Sequence, residues 1–451
     1  MSDIDSDIFF APAQSDFQSI PSLASGKSVA HFARPRGADL LSRTRALFDW
    51  TEARSEHKLW PYVRSLQAAP GQAASIRLET GEVANGINLA SQDYLGLSSH
   101  PAILSAAKGA IEEFGVHSAG SGALVGNTRE SLALERELGD ALLSEQVLLF
   151  PTGWAAGFGV VAALVRPYDH VVMDELAHAC LQQGANASTQ NVKRVRHLDT
   201  EAFREAVAQI RATDTQNGIL VITEGVFSMD ADTPDIMALQ DICHEYGATL
   251  MVDVAHDFGS MGPGGVSQIA AQGMLGKVDI VMGSFSKTFA SNGGFVAVKQ
   301  PSVRRFIQIY GGPWMFSNAL SPVQAAVVRQ ALRIVRSEEG DTLRAQLMAA
   351  INAYRDEVTS LGEACFGNPT PIVPMLVGQE LVGRIGSRLA FDNGVIVNLA
   401  EFPVVPVGAS RFRIQMMANH SEATAREGGR RVVAALKTAR EIAEKQVLVR
   451  G

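Results

Sequence analysis

Cysteine is scarce: the 451-residue chain holds three, Cys180, Cys243 and Cys365. They stand far apart and form no C-x-x-C pair, which argues against a disulfide framework and a thiolate zinc site and makes a reducing cytoplasm the expected compartment. A long basic run is also missing. With a net charge of -8, nucleic-acid binding is disfavoured as the main activity, although an anionic substrate stays compatible because local fields need not follow net charge. The first residues, Met1-Ser2-Asp3-Ile4-Asp5-Ser6-Asp7, lack the basic and apolar regions of a secretory signal, so export is not expected. Val147 to Val165 carries no charge over 19 residues and is long enough for a membrane span. Pro151, Gly153, Gly157 and Gly159 interrupt it, and a buried strand, a turn and a buried helix explain the same apolarity. H-E-x-x-H and G-x-S-x-G are absent too, which weakens zinc hydrolase and serine hydrolase chemistry.

What is present is an ordinary α/β composition, 46% hydrophobic and 19% charged, with 41 glycines, many in short clusters. Residues 1–60 read as an arm with Pro, Ser and Gly punctuation, ending in an amphipathic helix from about Ala38 to Glu56. Packing on a partner subunit, a membrane contact and plain disorder are all open for this arm; the first is favoured. Residues 61–99 are expected to be the N-terminal part of a small domain. Within it the pattern Ile76 to Leu89 predicts a hairpin that turns at Glu79-Thr80-Gly81-Glu82.

From about His100 short apolar runs alternate with helical patterns, which predicts βαβ units and a mostly parallel sheet. Seven strands are expected: Val147–Phe150, His170–Met173, Val192–Val195, Ile219–Thr223, Thr249–Asp253, Asp279–Gly283 and Gly294–Val298. Beyond Pro322 the pattern changes to long amphipathic helices. A boundary is expected near Glu338-Glu339-Gly340, dividing a large domain, 100–337, from a smaller α+β domain, 338–451.

Ligands of parallel sheets bind beyond the carboxyl ends of the strands, so the residues that follow each strand are the candidates. They are Thr152-Gly153-Trp154, a turn opening a helix and hence a phosphate cradle; His178 at another helix start; Ser228 in Glu224–Asp230; and Asp253 with His256. Taken singly these have plain structural explanations, since a helix-start His is commonly a cap and such turns are common. Lys287 lies in Gly283-Ser284-Phe285-Ser286-Lys287-Thr288-Phe289, past the next strand but one in the inferred sheet order. Desolvation there disfavours the ammonium ion and makes an amine nucleophile fit for Schiff-base formation. A buried Asp253 needs a cationic partner. A metal would explain His178, Asp253 and His256 less well, because no ligand spacing accompanies them. A carboxylate, an imidazole, a phosphate cradle and a strand-end lysine together describe a pyridoxal phosphate site, in which Asp253 would keep the pyridine nitrogen protonated.

The ordered motifs DYLGL (Asp93–Leu97), GSGALVGN (Gly120–Asn127), LLFPTGW (Leu148–Trp154), DELAHA (Asp174–Ala179), TEGVFSMDAD (Thr223–Asp232), VDVAH (Val252–His256), GSFSKTF (Gly283–Phe289), FSNALSP (Phe316–Pro322) and RFRIQMMANH (Arg411–His420) resemble those of the α-oxoamine synthases. These are fold-type I pyridoxal phosphate enzymes. The resemblance implies that Lys287 carries the cofactor and that Gly153, Trp154 and Ser284 hold its phosphate. His178 would stack on the ring, Ser228 and His256 would contact its polar atoms, and Asp253 would meet its nitrogen. Ser317 and Asn318 would reach the phosphate of a second subunit, which implies at least a dimer. Arg413 would receive the substrate carboxylate.

Several positions depart from the family pattern. Gln92 stands where Asn usually helps to hold the amino acid, Ser131 where His is usual, and Val254 where an acid is usual. The implied reaction joins a small α-amino acid to an acyl thioester of coenzyme A or a carrier protein, usually with loss of carbon dioxide, giving an α-amino ketone. Glycine C-acetyltransferase chemistry, a pyridoxal phosphate aldolase or aminotransferase, and a non-catalytic scaffold subunit are the rivals. Lys287 itself counts against the last.

Overall fold

The computed structural model describes residue 17 and residues 20–448. Of the arm read over residues 1–60, residues 1–16, 18 and 19 lie outside the described residues. Its helix runs from Arg45 to Glu56, later than the sequence pattern predicts. The chain instead enters through a 3-10 turn at Ser42–Thr44, behind the break at Pro35 and Gly37.

The chain divides into two compact units. One holds the described residues up to Ser91, Met229–Ala231 and those from Gln346. Its strands β1 (Ser65–Leu66), β2 (Ala73–Arg77) and β3 (Val83–Leu89) open the chain. The predicted hairpin is β2 and β3, with Leu78 N–H bonded to the Glu82 carbonyl across the turn at 2.8 Å.

The second unit, Gln92–Ser228 with Asp232–Ala345, carries β4 (Gln146–Phe150), β5 (His170–Asp174), β6 (Val192–Val195), β7 (Ile219–Glu224), β8 (Thr249–Asp253), β9 (Ile280–Ser284) and β10 (Gly294–Val298). They form one seven-stranded sheet in the order β4-β10-β9-β8-β7-β5-β6. β10 runs antiparallel to both neighbours, and the pairs from β9 to β6 are parallel. β7, β9 and β10 are buried along their whole length, which explains why they read as unbroken apolar runs. Val147 to Val165 is a strand, a turn and the helix Gly153–Leu164. Among the described residues no helix is long and apolar enough to cross a membrane.

Strands β11 (Ile372–Gly378), β12 (Val395–Ala400) and β13 (Ser410–Gln415) complete the six-stranded sheet of the first unit, in the order β1-β2-β3-β12-β13-β11. Arg413 lies on β13 with Asn398 and Pro374 as its neighbours across the strands, and is buried.

Candidate active site

The parallel strands end together, and their register decides which side chains meet. Glu224 at the end of β7 is the partner of Asp253 at the end of β8. β9 lies directly beside β8, so Lys287 follows the adjacent strand, one place nearer to Asp253 than the inferred strand order placed it. A cavity of about 250 Å³ opens at this edge, lined by Gly153, Trp154, His178, Asp253, His256, Ser284 and Lys287, and also by Glu224. These are seven of the residues singled out from sequence, brought together from positions 153 to 287.

Aromatic packing places Lys287. Phe285 and Phe289 on either side of it are fully buried. Phe285 stacks on Phe295 at 5.5 Å and Phe289 packs on Phe258 at 4.9 Å. The Phe285 N–H is bonded to the Gly293 carbonyl at 2.9 Å. Two anchored rings therefore fix the segment, and half-buried Lys287 between them faces the cavity.

The helix Gly153–Leu164 begins at the cavity wall. Thr152 caps it, its hydroxyl accepting from Ala155 N–H and its carbonyl from Ala156 N–H. The Gly153 and Trp154 N–H groups belong to the first turn and have no intrahelical acceptor, the usual condition of a helix start that receives a phosphate. A Cβ on Gly153 would sit 2.5 Å from Ser284 Cβ and 2.6 Å from its hydroxyl, so only glycine lets the helix start reach Ser284. Gly153→Ala is expected to destabilise the protein by about 1–3 kcal/mol through overpacking and to weaken cofactor uptake. Thermal denaturation and absorbance titration of the variant check both effects.

Two carboxyl groups form the floor. Burial pushes Glu224 well above the usual carboxylate range, and the neighbouring Asp253 charge raises it further. Asp253 is raised by burial too, but His178, the Ala255 N–H at 2.8 Å and the Lys287 ammonium pull it back. Of the two, Glu224 is the carboxyl whose ionisation is disfavoured more strongly, and Asp253 the one with more support for its charge. Glu224 also accepts the His178 N–H at 2.6 Å, so it fixes the residue that starts the next helix. His178 is a cap as well as a cavity residue: its Nδ1 lies 3.3 Å from Cys180 N and its ring 5.9 Å from that of Trp154. Buried His256 meets the Tyr94 hydroxyl through Nδ1 at 3.0 Å.

Sequence reasoning assigned no role to Tyr94 or Glu224. Tyr94 lies 162 positions from His256, and no local pattern predicts that contact. Glu224 ends a strand one position opposite Asp253, a signal that appears once the two strands are set in register.

Five sequence-selected residues are not among those lining this cavity. Half-buried Ser317 and exposed Asn318 belong to a segment bridged to the GSGALVGN loop: Asn318 pairs with Ser121, and its side chain reaches His117 Nε2 at 3.1 Å. Gln92 is half-buried at the start of the second unit, and Arg413 is in the first. Ser228, half-buried, follows Phe227 on the loop after β7. Among the described residues no cluster suited to a metal ion occurs.

The cavity fits pyridoxal phosphate. It joins a helix start with a glycine-dependent approach to Ser284, a buried anion for a pyridinium, and a lysine, all around one space.

Comparison with known proteins gives the same direction. Residues 84–432 match the family model described as Aminotransferase class I and II. The chain is 34% identical to 8-amino-7-oxononanoate synthase of Geotalea daltonii over 369 residues, covering 80% of this chain and 93% of that enzyme. It is 35% identical to the enzyme of the same name from Cellvibrio japonicus, over 74% of this chain and 82% of that one. The structure of serine palmitoyltransferase from S. paucimobilis superposes with a TM-score of 0.83 at 25% identity, covering 89% of this chain and 99% of that chain. The chain therefore belongs to the class I and II aminotransferase family and, within it, to the α-oxoamine synthases, the pyridoxal phosphate-dependent acyltransferases of fold-type I.

Proposed function

We propose that this protein condenses a small α-amino acid with an acyl thioester, releasing the thiol and carbon dioxide and giving an α-amino ketone. The single observation that carries this reading is the one cavity shared by Lys287, Asp253, His178 and the Gly153 helix start. Bound there, pyridoxal phosphate supplies an electron sink for the electron pair left on the amino acid's α-carbon.

The chain's own residues do the rest. Lys287 Nζ holds the cofactor and then takes the α-proton, a role that needs a neutral amine. Its anchored segment keeps it in place for that transfer. Asp253 holds the ring nitrogen in its protonated form, and its anionic state is kept by Lys287, His178 and the Ala255 N–H. His178 covers the ring and orients the thioester carbonyl. Gly153, Trp154 and Ser284 bind the phosphate. Ser228 and His256 contact polar atoms of the ring, with Tyr94 fixing the His256 imidazole. Gln92 and Arg413 bind the amino acid's carboxylate.

The active unit in this reading is a homodimer, in which Ser317 and Asn318 complete the partner's phosphate site. Support comes from large apolar side chains left exposed on their segment and the loop bridged to it: Phe316 at 87%, Leu124 at 80% and Val125 at 82%. Phe316→Asp is expected to weaken self-association at least about tenfold. Sedimentation velocity checks this, together with loss of cofactor on gel filtration. The cytoplasm is the proposed compartment, consistent with three free cysteines, two of them buried.

The reading is tested by incubating protein and pyridoxal phosphate with a panel of amino acids and acyl-coenzyme A esters of graded length. Thiol and carbon dioxide are expected only when both substrates are present. Thiol without carbon dioxide would move the protein to the glycine C-acetyltransferase type. Amino-acid consumption without thiol release would make it an aldolase or aminotransferase.

A further inference from the structure

His197 lies just past β6, is not among the residues lining the cavity, and is paired with two carboxylates. Its Nδ1 is 2.9 and 3.0 Å from the two carboxylate oxygens of Asp174, and its Nε2 is 3.1 and 3.0 Å from those of Asp232. A neutral imidazole has one N–H and so satisfies one carboxylate; two carboxylates on opposite ring nitrogens require the imidazolium. Burial alone would lower the pKa of His197, but the two carboxylates overcome it and raise it to about 10. The ring edge also meets Phe227 at 4.5 Å and 85°.

The two carboxylates belong to the loops that carry cofactor-site residues. Asp174 ends β5, accepts Leu176 N–H and Leu198 N–H through its side chain, and accepts Ala177 N–H through its carbonyl, immediately before His178. The Asp232 carbonyl accepts the N–H of Phe227, the residue before Ser228. Leu198, next to His197, is held at a φ of 55°, a conformation a leucine adopts only when its surroundings impose it. The remaining charged group facing His197 is Glu175, whose carboxylate accepts the His197 N–H at 3.2 Å.

We infer that His197 is a positioning residue for the cofactor site, an imidazolium clasp between Asp174 and Asp232 that ties the loop presenting His178 to the loop presenting Ser228. The inference rests on the reading of that cavity as a pyridoxal phosphate site. His197 touches neither the cavity nor any reacting group, so its effect passes through the two loops.

The test uses the full-length protein with and without pyridoxal phosphate and compares His197→Gln with His170→Gln. The second removes a His–Asp pair, His170 with Asp214 at 2.9 Å, at the opposite end of β5. Amide exchange at Leu176, Ala177 and Phe227 in the cofactor-free protein is expected to accelerate about tenfold or more in His197→Gln and to stay within about twofold in His170→Gln. The Kd for pyridoxal phosphate is expected to rise about tenfold in the first variant only. Asp232→Asn breaks one arm of the clasp and should show smaller changes of the same kind, which keeps the test decisive if His197→Gln does not fold. Unchanged exchange at these amides overturns the clasp, as does a Kd that shifts equally in both histidine variants. A wild-type protein that takes up no pyridoxal phosphate would overturn the functional reading instead, with the exchange measurement still deciding whether the clasp exists.

Discussion

Lys287→Ala is expected to lower turnover by at least about a thousandfold, because one side chain serves as both covalent anchor and proton acceptor. The fold should survive. Phe285 and Phe289 anchor the segment on either side, and Lys287 is half-buried. The variant should therefore melt close to wild type and still bind pyridoxal phosphate noncovalently through the Gly153 helix start, while losing the visible absorbance of the covalently held cofactor. A variant that keeps that absorbance would assign the cofactor to another amine.

Asp253→Asn should separate activity from stability. Turnover is expected to fall by about a hundredfold or more, since an amide cannot keep the ring nitrogen protonated as a buried carboxylate does. The cofactor-free protein should behave in the opposite way. The pKa of Asp253 is raised in the folded state, mainly by burial. A raised carboxyl pKa favours folding at low pH, and that contribution is lost as pH rises through the folded value. At neutral pH the ionised, buried Asp253 therefore costs stability, as does its raised neighbour Glu224 wherever it ionises. Cofactor-free Asp253→Asn should melt higher than wild type by roughly 2–4 °C at pH 8, with the gap closing toward pH 4. With cofactor present the order should reverse. Differential scanning calorimetry of both forms across that pH range reads the result, and a wild-type protein that melts higher in both forms would contradict the raised pKa of Asp253 in the cofactor-free fold.

Much of this site is legible in the sequence because parallel sheets gather their functional residues at strand ends. Short Val- and Ile-rich runs mark each strand, and the polar residue after each run is the candidate. Asp253 and Lys287 emerge in this way, and the motif resemblance extends the set to Ser317, Asn318 and Arg413. What stays hidden depends on neighbours distant in sequence. β10 runs antiparallel, yet Gly294–Val298 is as apolar as its parallel neighbours, because burial on both faces gives the same pattern in either direction. The Tyr94–His256 bond joins two distant chain segments and the Asp174–His197–Asp232 clasp joins three, and each member alone reads as a core or cap residue. The late start of the helix Arg45–Glu56 is local: amphipathic spacing extends back to Ala38, but the chain passes through a 3-10 turn at Ser42–Thr44 before the helix begins.

Gln92, proposed to bind the amino acid's carboxylate, is the position whose replacement is expected to alter amino-acid preference. Its side chain is longer by one methylene than the asparagine usual at this position, and it lies in the half-buried segment just before Asp93, whose carboxylate is fixed by the Leu97 and Ser98 N–H groups at 2.9 and 3.0 Å.

The most direct measurement is borohydride reduction of the protein loaded with pyridoxal phosphate, followed by proteolysis and mass spectrometry of the peptides. A single pyridoxyl mass on the peptide containing Gly283-Ser284-Phe285-Ser286-Lys287-Thr288-Phe289 is the predicted result. The same mass on another lysine, or on none, would contradict it.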